Sequence, residues 1–519
     1  MSDAVLPPLI VQMMQPEFYP HPVVDPIQLI QTHISYVLLA GDYAYKVKKP
    51  LDFGFLNYTT LALRKHFCEE ELRLNQRAAA ALYLAVLPIS DGDTGFVLEA
   101  AGSDPENQAG ATVEYTLQMR QFPQDALLNA MFAQGELTEA LLERLATTIA
   151  DFHKSAETSD YISSFGEISA IRQAFDENYA QTADFIGGPQ TQPQFDATQA
   201  YTNRFFAEQK ELLTQRREQN WIRACHGDLH LGNICLWQDT LYLFDCIEFN
   251  EPFRLVDVMY DIAYVIMDLS LAGQTALATS FLNTYVEQTG DWEGLQVLPL
   301  YVSRQSYVRG KVTSFMLNDP AISATEKTKV SEQAAPYYRL AYEAMQPRAG
   351  RLFLMAGLSG SGKTTVARQW AKQTGAIHIR SDAVRKHLAG IPLMARGDDE
   401  LYTPTMTQKT YDRLLDLGVT LAQAGYTVIL DAKYDRQDKR KAAIARAQTH
   451  TIPLQILHCT APDAVLRDRV QQRTGDIADA TVDVLTRQHF EAFSGDELPY
   501  VTALDTTAAL TQELAKVGE

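Results

Sequence analysis

In CHGDLHLGNICLWQDTLYLFDCIEF, residues 225–249, His226-x-Asp228 is followed by Asn233 and, after two short apolar runs, by Asp245. Asp228 can accept or orient the proton of an attacking hydroxyl. Asn233 and Asp245 offer oxygens to Mg2+, which neutralises charge on a phosphoryl group in transit. His226 suits a brace for the loop better than a titrating catalyst, and His230 reads equally well as a polar surface residue. A second stretch, GLSGSGKTT, residues 357–365, fits G-x-x-x-x-G-K-[ST]. Its glycines, Gly357, Gly360 and Gly362, let backbone N–H groups converge on phosphates. Lys363 would reach the outer phosphates, Thr364 would ligate Mg2+, and Ser359, Ser361 and Thr365 complete the set expected at the nucleotide.

The first stretch has the spacing of a kinase catalytic loop and its metal aspartate. Such a site also needs a strand lysine for the α/β-phosphates and a helix carboxylate to hold that lysine. DYAYKVKK, residues 42–49, offers Lys46 and Lys48 on one strand face, with Lys46 preferred. In the following helix Glu71 shares a face with Phe67, Leu74 and Ala78, and a carboxylate facing a core needs a cationic partner. VEYTLQMRQF would supply the hinge where backbone groups meet adenine. For the glycine loop, a second metal carboxylate belongs at the end of a buried strand, and TVILD ends in Asp431. IRSDAVRK sets Asp382 and Arg385 three apart, able to meet a substrate together. Arg469 and Arg473, four apart on one helix face, could close over a triphosphate.

The elements that must carry these residues fall into two groups. YVLLAG and DYAYKVKK read as a strand pair turning at Gly41-Asp42, TTLALRKHFCEEELRLNQRAAAA as a long helix, and the segment from about 124 to 220 as mostly helical. Strands first and helices afterwards describe an α+β domain of two lobes. From LFLMA onward strands and helices alternate, which implies an α/β domain with a parallel sheet. The boundary is placed at QPRAGR: a first domain over 1–346, a linker over 347–350, and a second domain over 351–519. Charge differs across it. Residues 351–519 carry 21 Lys and Arg against 20 Asp and Glu, whereas the whole chain of 519 residues carries −19. That near-neutral balance gives little support to a nucleic-acid acceptor, which would favour a basic groove. No apolar run reaches the ~18 residues of a membrane helix, so a cytoplasmic protein without a membrane partner is expected. The five cysteines are scattered without CxxC spacing, which predicts buried free thiols.

With these residues assembled, the segment from about 30 to 320 resembles the aminoglycoside phosphotransferase and choline-kinase family, whose HGDxxxxN…D appears as His226, Gly227, Asp228, Asn233 and Asp245. The resemblance implies a protein-kinase-like fold and a small-molecule hydroxyl acceptor; Asp257 and Asp261 match a family helix in which the second acidic residue, here Asp261, steadies the catalytic loop. No glycine-rich loop precedes Lys46, only THISYVLL. Arg309 and Lys311 are cationic in an acidic half and read as surface residues or anion contacts. Residues 351–500 resemble small P-loop kinases of the AAA_33 or zeta-toxin-like type, relatives of polynucleotide and gluconate kinases. That resemblance implies Asp382 as base for the acceptor hydroxyl, Arg385 as its grip, and a recurrent arginine at Arg440; Lys433 departs from the family pattern. The whole chain looks like a two-domain fusion with ATP and Mg2+ as cofactors and two nucleotide sites. A small-molecule hydroxyl is the expected acceptor and the oligomeric state is left open. The alternatives are a polynucleotide 5′-hydroxyl kinase governed by a non-catalytic first half, and a pure ATPase switch.

Overall fold

A computed structural model describes residues 6–24, 26–102, 109–320, 322–472, 475–479 and 481–517. Two compact units emerge. The first comprises Met1–Leu137, Ser155–Gln173 and Gln209–Val265; the second comprises Thr138–Lys154, Ala174–Glu208 and Ile266–Glu519. The expected linker, 347–350, therefore lies inside the second unit.

In the first unit six strands form one antiparallel sheet: β1 (Gln28–Gln31), β2 (Ser35–Ala40), β3 (Tyr43–Lys48), β4 (Tyr83–Gly92), β5 (Gly95–Leu98) and β6 (Thr112–Arg120), in the order β1-β2-β3-β6-β4-β5. Gly41, at φ 62°, makes the β2–β3 turn that the sequence marks. Tyr45 and Val47 point to one face of β3, into a core with Leu38, Leu87 and Ile89, so period-two alternation sends Lys46 and Lys48 to the other. On that face lies the Leu61–Ala79 helix, capped by the Thr60 side chain, which accepts the Leu63 N–H. Its buried residues include Arg64, Cys68, Glu71, Leu74 and Asn75. Further along, β7 (Ile222–Ala224), the hairpin of β8 (Ile234–Trp237) and β9 (Thr240–Leu243), and β10 (Leu255–Asp257) frame the loops that hold Asp228, Asn233 and Asp245.

The second unit contains a five-stranded, wholly parallel sheet, β11 (Arg351–Ala356), β12 (Ile377–Arg380), β13 (Thr427–Asp431), β14 (Leu454–Thr460) and β15 (Val501–Asp505), ordered β12-β13-β11-β14-β15. Phe353, Met355, Ile429, Leu457 and Leu504 are buried between sheet and helices, the continuous apolar strands that a sheet covered on both faces requires. Helices Thr275–Thr289, Leu298–Ser314 and Ala324–Ala344 belong to the same unit. All five cysteines are free and buried.

Candidate active sites

In the first unit β3 and the Leu61–Ala79 helix bring five charged side chains together. Lys46 Nζ lies 2.7 Å from both Glu71 Oε1 and Asp245 Oδ1. Lys48 Nζ lies 2.6 Å from Glu71 Oε2 and 2.5 Å from Glu248 Oε1, which also accepts the Tyr58 hydroxyl at 2.5 Å. Glu71 is thus shared by both lysines. Exposure separates their roles, since Lys48 is 1% exposed and Lys46 12%, and Asp245 opens to solvent with 45% of its side chain exposed. Burial alone would deprotonate these lysines, but Asp245 and Glu71 hold Lys46 charged, and Glu248 and Glu71 hold Lys48 charged. What enclosure Asp245 has would raise its carboxyl, but the Lys46 ammonium beside it holds it below its usual value.

Two ammonium groups here face three carboxylates, leaving one negative charge on the carboxylate that opens to solvent. A divalent cation is the natural complement of that donor set, with Asn233 nearby. Asn233 Nδ2 donates to the Asp228 backbone oxygen at 2.9 Å, and His230 Nε2 lies 3.5 Å from Asp228 Oδ2. The loop is fixed from below: Asp261 accepts the N–H groups of His226 and Gly227, both at 2.8 Å, and His226 Nε2 contacts the Phe244 carbonyl at 2.9 Å. Burial lowers the His226 pKa, so its ring is a neutral strut. Gly227 is at φ 91° and a Cβ there would meet the Phe253 carbonyl at 2.7 Å, which reserves the position for glycine. Asp245 adopts φ 63°, a strained setting for a residue with a side chain, at the point where its carboxylate turns toward Lys46. Asp257 is held by Arg216 at 2.5 and 2.7 Å, a buried pair beside the loop.

Where a glycine-rich loop is absent, the β1–β2 turn is closed by its own threonine. Thr32 Oγ1 accepts the N–H groups of Ile34 and Ser35, and Lys49 Nζ donates to the Thr32 carbonyl at 2.6 Å.

In the second unit the loop after β11 turns through Gly357, Gly360 and Gly362, at φ 140°, 80° and 85°, into the Lys363–Thr374 helix. A Cβ at Gly360 would stand 2.5 Å from the Leu466 carbonyl. Parallel pairing sets Met355 opposite Asp431, so the loop opens beside that carboxylate. Thr364 Oγ1 donates to Asp431 Oδ2 at 2.7 Å, and His378 Nε2 lies 3.0 Å from the same oxygen. Burial would raise Asp431, but His378, Arg380 and Lys363 together lower it to about 2. Lys363 Nζ donates to the Leu358 carbonyl, Gln488 grips Ser359 through its N–H and hydroxyl, and Thr365 is exposed. The buried Ser361 hydroxyl, which makes no hydrogen bond to the described residues, packs against Gly357, where an added Cβ would stand 2.7 Å from its Oγ. The residues thus fit a Mg2+-nucleotide through Thr364 and Asp431.

Gly360, Gly362, Lys363, Thr364 and Asp431 line a cavity of about 1200 Å3 that extends to Asp382, Arg385, Tyr402, Lys433 and Lys439. Burial raises the Asp382 carboxyl above its usual value, opposed by Arg380 and Arg385. Arg385 is buried; its Nη1 donates to the Leu401 carbonyl at 3.1 Å, and its Nε has no protein partner. Arg469 lines the cavity and donates to the Thr506 carbonyl and hydroxyl, both at 2.8 Å, tying the glycine loop's surroundings to the segment after β15. Arg473 lies outside the described residues. Lys433 pairs with Asp435 at 3.2 Å. Arg440 is fully buried, 2.6 Å from Glu497 Oε1 and flanked by Phe490 and Phe493, so it anchors the chain after the Asp463–Gln472 helix and does not line the cavity. Lys311 is partly buried, donating to Asn178 and Gln181 side-chain oxygens at 2.6 and 2.8 Å. Sequence reasoning passed over Glu248, Tyr58, His378, Arg380 and Glu497; only the position of Glu248, three residues after Asp245, gave a local signal. Among the described residues no helix is long and apolar enough to cross a membrane.

Comparison with known proteins finds a match in each half of the chain. The phosphotransferase enzyme family model matches residues 66–298, and an AAA domain model, AAA_33, matches residues 352–493. An uncharacterized protein of Mycobacterium tuberculosis is 29% identical over 471 residues, covering 89% of this chain and 90% of its own length. A choline/ethanolamine kinase family protein from Mesorhizobium loti is 11% identical, spanning 62% of this chain and 93% of its own, with a TM-score of 0.34. A sugar kinase from Janibacter is 25% identical, spanning 32% and 92%, with a TM-score of 0.25. The chain therefore joins a kinase-like domain of the phosphotransferase enzyme family to a P-loop domain of the AAA_33 family.

Proposed function

We propose that the chain is an ATP- and Mg2+-dependent phosphotransferase with two nucleotide sites, moving the γ-phosphoryl group to a hydroxyl of a small molecule. The observation that carries this reading is the position of Lys46 Nζ, 2.7 Å from a buried helix carboxylate and 2.7 Å from Asp245. A lysine so tethered presents its remaining N–H to phosphate oxygens in a fixed direction. In the first unit Asp228 accepts the acceptor's hydroxyl proton at its carboxylate while His226 and Asp261 hold the loop still. In the second, Lys363 and the backbone of 357–362 hold the phosphates, Asp382 takes the proton and Arg385 orients the acceptor. Mg2+, when bound through Asn233 and Asp245 or through Thr364 and Asp431, supplies charge neutralisation on the transferring group.

The full chain is incubated with ATP, Mg2+ and a metabolite extract, and phosphorylated products are read by mass spectrometry. Asp228→Ala and Lys363→Ala should each remove a distinct product or a distinct share of ATP turnover. Turnover and products unchanged in both variants would refute the assignment.

A further inference from the structure

We propose that the Thr275–Thr289 helix is a positioning element of the P-loop site, acting through Asn283 and Glu287; the proposal rests on the reading of that site as a nucleotide site. β12 is the edge strand of the parallel sheet, only four residues long, and among the described residues no strand neighbours its outer N–H and C=O groups. The Asn283 side chain supplies one. Its Nδ2 donates to the Ala376 carbonyl at 3.0 Å and its Oδ1 accepts the His378 N–H at 2.8 Å, the bonding pattern of a paired strand made by a single amide. The residue whose backbone is held in this way is His378, whose ring reaches the Asp431 oxygen that also accepts from Thr364.

The other end of β12 is held by the same helix. Arg380 lies 3.7 Å from Glu287 Oε1 and pairs with Asp476, and His387 Nε2 lies 2.7 Å from the Glu287 carbonyl. Between these two anchors the chain places His378, Arg380 and Asp382 in order. A slip of one residue along β12 would exchange His378 for Ile377 or Ile379 and send the imidazole to the opposite face. An apolar side chain at 283 could cover the edge but could not fix its register. Lys372, on the helix that opens at the glycine loop, is tied to Glu139 at 2.6 Å, a further attachment of this part of the unit to the P-loop helix.

The test uses the full chain carrying Asn283→Leu, Asn283→Asp or Glu287→Gln. Three quantities are read: hydrogen exchange of the His378 amide, the Mg2+ concentration that half-saturates Lys363-dependent ATP turnover, and the KM for ATP at saturating Mg2+. Asn283→Leu is expected to speed His378 exchange by about tenfold or more, the factor that ~1.4 kcal/mol of lost protection gives. It should raise the Mg2+ requirement several-fold and lower kcat, with KM within twofold of the parent. Asn283→Asp, which keeps an acceptor for the His378 N–H, should recover part of each loss. Faster His378 exchange with an unaltered Mg2+ requirement and kcat would overturn the proposal, as would a KM change without either. Should Asn283→Leu fail to fold, Asn283→Asp and Glu287→Gln are read against the same outcomes. A Lys363→Ala chain that retains all ATP turnover would instead defeat the nucleotide-site reading, and the proposal with it.

Discussion

Lys48→Met and Lys46→Met should separate a structural lysine from a working one. Lys48 is 1% exposed and serves two carboxylates, Glu71, which is wholly buried, and Glu248, at 4%. Removing it leaves Glu248 with only the Tyr58 hydroxyl and strands Glu71 Oε2 away from water. Breaking a buried pair in this way costs about 3–5 kcal/mol. Either loss strands one Glu71 oxygen and leaves the other paired, so Lys46 differs in its second partner: Asp245, 45% exposed, is free to hydrate where the buried Glu248 is not. The expected cost is that of a half-exposed pair, about 1 kcal/mol. Lys46→Met should therefore fold normally and lose the turnover of the first unit, whereas Lys48→Met should be destabilised before it is inactive. Hydrogen exchange of the Leu61–Ala79 helix reads the difference: about two to nearly four orders of magnitude faster in Lys48→Met, about tenfold or less in Lys46→Met. Equal protection in the two variants, or a larger loss in Lys46→Met, would refute the division of labour.

Gly360→Ala should abolish Lys363-dependent nucleotide binding, because the added Cβ meets the Leu466 carbonyl at 2.5 Å in a backbone at φ 80°; equilibrium titration with ATP checks this. The P-loop site should lose activity toward acid at a pH above the ordinary carboxylate range, since burial raises Asp382 and its ionised form is the one that accepts a proton. Removing an opposing cation by Arg385→Ala should move that acid limb higher still, and a limb that moves lower contradicts the role. Arg440→Met should cost about 3–5 kcal/mol by leaving Glu497 buried without its cation, read as a fall in urea midpoint; an unchanged midpoint would show that the pair is dispensable.

Much of the fold could be read from periodicity. Alternation along DYAYKVKK put both lysines on one face, the helical spacing of Phe67, Glu71 and Leu74 turned Glu71 inward, and apolar strands punctuated by helices marked the parallel sheet. What escaped is non-local. Lys48 and Glu248 are 200 residues apart in sequence, and no local pattern says that the second lysine has its own carboxylate. His378 sits within an apolar strand and reads as a core residue until the sheet order sets β12 beside β13. β15 is short and amphipathic and follows a turn-rich stretch, so its strand character comes from pairing with β14. Arg440 was noticed as a family feature, yet its job depended on Glu497, which sequence could not place opposite it.

The side-chain amide at the rim of the parallel sheet bears on how the polypeptide can be divided. Cutting at Arg351, where composition and proline suggest a seam, would strip Asn283 from β12 and uncover its N–H and C=O groups to any passing strand. Such a fragment should associate with itself more strongly than the intact chain, which light scattering reads directly. Solubility of the nucleotide-binding half thus depends on residues that sequence alone assigns to the other.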